Sequence, residues 1–562
     1  MSFGLLSPQS PADVTFDQIE EARATDNPAT VSSRWTVFTP GNDTRIIYVS
    51  DSEGTDWATY EYHTVDDPEV GGDPFHPVGQ VTAYRTLAAA YNRMRDGYPD
   101  WMLLKSGDSW NATLSPLGGW RKSGRAEDEP QLVAAYANGP RPVIQSGQST
   151  GMTLDGGTDH LALVGLEFYP RLKDPDAPDF DPDSPDRYAI QALGPNDDIL
   201  VEGCLATYYD THMLFQVYSG PLSNIRVRRC VLTDAYSIHS HSQGIHTVNV
   251  RGLLLEENVF DHNGWHDWIP GAEPTQFNHN GYITGLTKSD DIVIRGNIFA
   301  RGSSFAFKLR SDCPAGIDHA LVQDNLLVAN GDTISLGGAG GEAAYTHRDV
   351  IVRRNVVTEG GRTLDNGPHS FGVDFKTAQD CVAEDNFFIY KPHQSPSFAI
   401  RLLMDMQIGI VIQRNVVHQW WVNGQAIQAE HNPPDVIVQD NLVELDPDQY
   451  VDADRTVESY SASIGGDATL ESFLTEARKQ CRSYWRDECT GTPIVQYIAE
   501  GFTLASACDC DINHDCVVNI EDVFCVLGAW GSCNGCPEDV NCDGSVNIDD
   551  LFEVLAHWGP CP

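Results

Sequence analysis

From about residue 159 the chain repeats one pattern: apolar–x–apolar, two residues, Asn or Cys, then one or two apolar residues. It runs LALVGLEF (Leu166), ILVEGCLA (Cys204), IRVRRCVL (Cys230), LLLEENVF (Asn258), DIVIRGNIF (Asn297), HALVQDNLL (Asn325), DVIVRRNVV (Asn355), DCVAEDNFF (Asn386), GIVIQRNVV (Asn415) and DVIVQDNLV (Asn441). The steps are 26 to 39 residues. Short β-runs at such a period, with no helical run between them, predict an all-β solenoid of stacked coils. A propeller blade would need about 40 residues and four strands. Asn side chains in register can hydrogen-bond along the axis. At about 4.8 Å per coil the nine steps span roughly 43 Å.

Both ends of the solenoid need covers, because an open coil exposes unpaired strand edges. Upstream, RIIYVSDSEGTD precedes a small-residue helix, TLAAAYNRM (86–94), expected to cap the first coil. Downstream, TLESFLTEARKQCRSYWRDEC reads as an amphipathic helix covering the last coil, with Cys481 and Cys489 available to pair. The remaining tail is a second repeat of 28 residues, DINHDCVVNIEDVFCVLGAWG and DVNCDGSVNIDDLFEVLAHWG. Oxygen side chains stand at loop positions 1, 3, 5, 9 and 12: Asp511, Asn513, Asp515, Asn519 and Asp522, then Asp539, Asn541, Asp543, Asn547 and Asp550. Hard Ca²⁺ takes six to eight oxygens, and this spacing wraps a short loop around one ion before a helix begins. That helix is marked by Ile548, Leu551, Phe552, Leu555 and Trp558. Position 6, usually Gly for the sharp turn, is Gly544 in the second copy and Cys516 in the first.

The chain has 562 residues, with Lys+Arg 36 against Asp+Glu 80 and a net charge of −44. That sign argues against a nucleic-acid binder or a peripheral membrane protein, and no apolar stretch is long enough to span a bilayer. Residues 508–562 hold eight of the 14 cysteines, 11 acidic residues and no Lys or Arg. So many cysteines in a small module predict a disulfide framework formed in an oxidising compartment. Residues 1–18 carry no basic region followed by a long apolar run. The cysteines outweigh that, so a secreted or cell-surface protein is expected.

The tail resembles a dockerin of the cysteine-rich kind, on its paired loops and the Gly-x-Cys that closes each repeat (Cys533, Cys561). The resemblance implies two bound Ca²⁺ ions and docking onto a cohesin-like or cell-surface partner. The body resembles the right-handed parallel β-helix proteins of the pectate-lyase-like class over roughly residues 45–460. The expected domains are an N-terminal extension (1–44), the capped β-helix (45–460), a capping helix with linker (461–507) and the dockerin-like unit (508–562). A monomer is expected.

That second resemblance implies that polysaccharide lies across the first strands of the coils. Alternation there places Ile245, Phe307, Val373 and Ile400 inside. It leaves an outward stripe of His246, Ile283, Lys308, Ser335, Asp374, Arg401 and Gln428, with Arg310, Lys376 and His279 nearby. Cations collected on one face of so anionic a chain suit an acidic polysaccharide. The excursion 261–280 adds His266 and two aromatics that can stack on sugars, Trp265 and Trp268. Its Asp261, His262 and Asp267 could instead hold a metal, and the His239-x-His241 pair is a weak metal signal.

Cleaving a uronate chain by β-elimination requires neutralising the carboxylate, removing the C5 proton and protonating the leaving oxygen. The expected assignment is Arg310 and Arg401 for neutralisation, Lys308 or His279 as base, and His246 as acid. Asp374 is the nearest candidate for a third, groove-bound Ca²⁺, but no Asp trio of the pectate-lyase kind is visible. The alternatives are a glycoside hydrolase, which needs a carboxylate pair, drawn from Asp261, Asp267 and Asp374, and a non-catalytic glycan-binding surface or adhesion protein.

Overall fold

The computed structural model describes residues 35–560 except 57–61, 116–117, 218–221, 286–288, 312–315, 338–346, 362–369, 392–396, 404–406, 423–424, 430–434, 444, 504–509, 511, 514–516, 534–535 and 542–543. Three all-parallel sheets, of 16, 10 and 12 strands among the described residues, run the length of the body and form a parallel β-helix. A complete coil contributes one strand to each sheet, as in Ser289–Arg295, Ile298–Ala300 and Phe305–Ser311. No described helix is long and apolar enough to cross a membrane.

The repeated Asn is the corner between the first two of these strands. The Oδ1 of Asn297, Asn325, Asn355, Asn386, Asn415 and Asn441 each accepts the backbone amide of the previous rung at 2.9–3.1 Å. Cys230 joins the ladder by donating its own amide to Asn258 at 2.9 Å. The residue before each rung lies in the left-handed region, and around Asn297, Asn325 and Asn355 so do the residues five positions on either side of it: Asp291, Gly296, Arg301; His319, Asp324, Ala329; Asp349, Arg354, Glu359. Such backbone is uncommon outside Gly and Asn/Asp, and buried amide ladders hold it in place here. Beside these corners, outward charges alternate along the axis: Glu202, Arg228, Glu256 and Arg295 are paired in register and ion-paired.

The upstream cover is as expected. Thr86 caps the helix Leu87–Tyr91 by accepting from the Ala89 amide, and Leu87, Ala90, Tyr91 and Met94 close the core around Trp120. The downstream cover is not. The helices Val457–Ser463, Leu470–Arg478 and Gly491–Gly501 lie along the outer face of the third sheet, where Val231, Val259, Ile298, Leu326 and Val356 pack with Phe473, Leu474, Ile494 and Ile498. The cause is the three-residue strand after Asn258, Asn297, Asn325 and Asn355: only its middle residue points inward, so apolar residues at its flanks demand an external cover. The last coil instead leaves Ile437, Val438, Leu442 and Val443 exposed. Cys481 and Cys489 are unbonded, which corrects the expected pairing.

In the tail, Asn519 and Asn547 cap the helices Ile520–Gly528 and Ile548–Ala556, with Asp522 and Asp550 completing a capping box in each. Those two carboxylates are fully buried and gather amides of their own loops: Ile512, Asn513 and Asn519 for the first, Asn541 and Asn547 for the second. Asp539 accepts from the Gly544 amide at 2.9 Å. Asp511, Asp515 and Asp543 lie outside the described residues. Cys533 and Cys536 form a disulfide. The helical apolar spacing does not mark a core face: Ile548, Phe552, Leu555 and Trp558, and their equivalents Ile520, Phe524, Leu527 and Trp530, are all exposed.

Candidate active site

The ten-stranded sheet carries the candidate residues on its outer face. Its register aligns Leu214, His246, Tyr282, Lys308, Ser335, Asp374, Arg401 and Gln428. Tyr282, not Ile283, occupies the outward place in its coil, and Ile283 is fully buried in the core. Three positions upstream runs a second aligned row, with Thr211, Gln243, His279, Phe305 and Asp332. The two residues between the rows both turn inward, as Ala306 and Phe307 do. A strict two-residue alternation breaks at that bend, and this is where the expected register slipped.

The two rows floor a cleft of about 1200 Å³, walled on one side by residues 274–277 of the long excursion. His246, His279, Lys308, Arg310, Asp374, Lys376 and Arg401 all line it. Trp265, His266 and Trp268 do not. Trp265 donates its indole N–H to the Arg301 carbonyl at 2.8 Å, His266 packs on Tyr236, and Trp268 sits against Phe180. These residues brace the excursion, and its exposed Phe277 is the aromatic that reaches the cleft. Asp261 is likewise structural: fully buried, it pairs with Arg301 and with Arg478 of the covering helix. His262 pairs with Asp234 and Asp267. Among the described residues the excursion offers no three-ligand metal cluster; the one such group is His63, Asp67 and Glu69 near the first coil.

Tyr282 is the hub of the cleft. His246 stacks on its ring at 5.0 Å, His279 meets its edge at 5.3 Å, and the Arg310 guanidinium approaches its hydroxyl at 3.4 Å. Lys308 stands one coil further along, its ammonium 5.3 Å from the Phe305 ring. Burial, then repulsion from Lys376 and Arg310, lowers the Lys308 pKa to about 8. Burial also drives His246 down to about 4, and His279 well below its ordinary value with the charge of Lys308 adding to the effect. A neutral imidazole has no proton to deliver easily at neutral pH, so His246 is poorly suited to the acid's role.

Asp374 takes Arg401 at 2.9 Å and has Lys376 at 3.9 Å, while Arg401 also stacks over Phe371 at 3.4 Å. A carboxylate already faced by two cations is a poor ligand for a groove-bound Ca²⁺. Asp332, on the strand adjacent to that of Asp374, is raised to about 7 by burial, against one amide bond from Phe371 and with Asp374 adding repulsion. Asp210, also in the lining, is raised to about 8 by burial. Sequence reasoning missed Tyr282, Phe277, Asp210 and Asp332. Only the carboxylate three residues before Ser335 in DTISLGGA was open to discovery, by the same offset that separates His279 from Tyr282.

No protein family matches the chain. No curated protein matches it either. Several solved structures are similar in chain course. A pectate lyase aligns over 77% of this chain and 87% of its own, at 12% identity and a TM-score of 0.38. The A-module of a mannuronan C-5 epimerase from Azotobacter vinelandii aligns over 61% and 91%, at 13% identity and 0.35. A lacto-N-biosidase from Eubacterium ramulus aligns over 71% and 68%, at 12% and 0.37. The chain is a parallel β-helix by its own sheet topology, and likenesses at these TM-scores carry no argument about its reaction.

Proposed function

We propose that the protein is a carbohydrate-active enzyme, a polysaccharide lyase that cleaves a uronate-containing chain by β-elimination. The observation that carries this reading is the cationic cleft in a chain of charge −44: Lys308, Arg310, Lys376 and Arg401 line it, with Arg401 salt-bridged to Asp374. A walled cleft of low dielectric strengthens that attraction for an anionic glycan. Arg310 and Arg401 neutralise the uronate carboxylate, which acidifies the C5 proton. Lys308, with its pKa at about 8, takes that proton as a free amine. Tyr282, beside Lys308 and accepting a hydrogen bond from Arg310, gives its hydroxyl proton to the leaving oxygen.

A second reading rests on Asp332. An acid held towards its neutral form on the strand next to a salt-bridged Asp374 is the pattern of a glycoside hydrolase, with Asp332 as acid and Asp374 as base. One assay separates the two. Incubation with acidic polysaccharides yields ultraviolet absorbance of an unsaturated uronate if the enzyme is a lyase, and new reducing ends without that absorbance if it is a hydrolase. Neither signal would leave only a glycan binder. Full lyase activity in both Lys308→Ala and Arg310→Ala would overturn the site assignment.

The tail, on this reading, binds two Ca²⁺ ions and docks the enzyme to a cohesin-like or cell-surface partner after secretion. Its oxygen-only donor set suits a hard cation. The twice-repeated exposed stripe of Phe524, Leu527, Trp530 and Phe552, Leu555, Trp558 suits an apolar partner surface.

A further inference from the structure

The cleft is divided along its length. All four of its cations come from the half built by Phe305–Ser311 and the strands that follow it. The other half is built on Tyr188–Ala192, Thr211–Gln216, Gln243–Val248 and His279–Gly285, and among the described residues its lining contains no Lys or Arg. What it offers is Gln216 and Gln243, the rings of Tyr188 and Tyr282, and an exposed aromatic pair, His241 and Phe277, with ring centroids 5.3 Å apart. Its one carboxyl, Asp210, is nearly fully buried, and its Oδ1 has no hydrogen-bond partner. Lys173, the buried cation beyond it, is committed to Asp186 at 3.3 Å and to the Tyr236 carbonyl at 3.1 Å.

Distance makes the division chemically meaningful. Tyr188 stands four coils from Lys308. At about 4.8 Å per coil that is roughly 19 Å, far beyond the reach of an ion pair or hydrogen bond. A carboxylate seated among Tyr188, His241 and Phe277 would be dehydrated with no cation in the described lining, since the neighbouring Arg187 commits its guanidinium to the Gln148 and Asp186 carbonyls. An uncharged sugar would find what it needs there: amide groups and the Oδ1 of Asp210 for its hydroxyls, and ring faces for its C–H surface.

We infer that the cleft takes a heteropolysaccharide, with uronate units in the Lys308–Arg401 half adjoined by uncharged sugar units in the Tyr188–Phe277 half, and not a homopolymer of uronate. This deepens the reading of the site given above and rests on it. The carboxyl of Asp210, held towards its neutral form, donates to a sugar hydroxyl in that half and would become a repelling charge towards a second uronate.

The test is calorimetric titration of the full chain carrying Lys308→Ala, which holds ligand uncleaved. The probes are a hexamer of galacturonate and mixed hexamers in which three uronate units are joined to three units of rhamnose or of N-acetylglucosamine. At least one mixed hexamer binds on the order of tenfold more tightly than the homopolymer. Adding His241→Ala or Phe277→Ala, both exposed positions, removes about that tenfold from the mixed ligand, the ~1.4 kcal/mol of one stacking contact, and leaves the homopolymer unchanged. Adding Lys376→Ala weakens both. A homopolymer that binds as tightly as every mixed probe overturns this inference and leaves the lyase reading standing. Failure of every acidic probe to bind overturns the two together.

Discussion

Removing one rung of the asparagine ladder should open the solenoid locally, and by an amount the geometry sets. Asn355 is fully buried. Its Oδ1 accepts the Asn325 backbone amide at 3.1 Å and the Asn325 Nδ2 at 2.9 Å. Its Nδ2 donates to the Val322 carbonyl at 3.0 Å and to Asn386 at 2.9 Å. Asn355→Ala therefore strands two buried donors on Asn325, where water has no access. At about 1–3 kcal/mol for each orphaned group the cost is roughly 2–6 kcal/mol. Asn441→Ala makes the same deletion at a rung only partly buried, where water can substitute, and should cost ~1 kcal/mol or less. A stack of coils need not unfold in one step, so the measurement should be local. Native-state hydrogen exchange in peptides covering 317–358 should accelerate by roughly thirtyfold or more for Asn355→Ala, the equivalent of about 2 kcal/mol. Equal acceleration at that segment in Asn355→Ala and Asn441→Ala would refute the idea that the buried ladder holds the corners.

Three other outcomes are expected. Lyase activity should rise with pH through about 8, as Lys308 loses its proton, and Lys376→Met should move that limb to higher pH by removing a repelling cation; a limb that stays put would exclude Lys308 as the base. Arg478→Ala leaves Asp234 and Asp261 short of a partner, although Arg301 remains on Asp261. The loss should be about 3 kcal/mol, at the lower end for a broken buried pair, read as faster limited proteolysis within 464–503, and unchanged proteolysis would show the ion pair to be idle. Calcium added to chelator-treated protein should raise the thermal transition of the tail, and Asp550→Ala should lower the calorimetric stoichiometry from two ions to one; a stoichiometry that stays at two would remove Asp550 from the ligand set.

The sequence by itself determined the solenoid. A period near 28 residues, an apolar–x–apolar signature and a fixed Asn are local properties of each coil, and stacking only repeats them. The same locality placed Lys308, Asp374 and Arg401 on one line, since parallel strands in register carry equivalent residues to neighbouring places. Tertiary structure decided what depends on bends and on partners distant in sequence. The inward pair between the two cleft rows breaks alternation, so Tyr282 emerges and Ile283 is buried. Asp261 is committed to Arg478, 217 residues away, and no local pattern could have reserved it. Burial, a property of the whole stack, moves Lys308 to about 8, Asp332 to about 7 and His246 to about 4. It thereby decides which of the residues visible in the sequence can exchange a proton. Residue types and period are written along the chain, but solvent exclusion belongs to the assembled coils, and in this cleft it sets the chemistry.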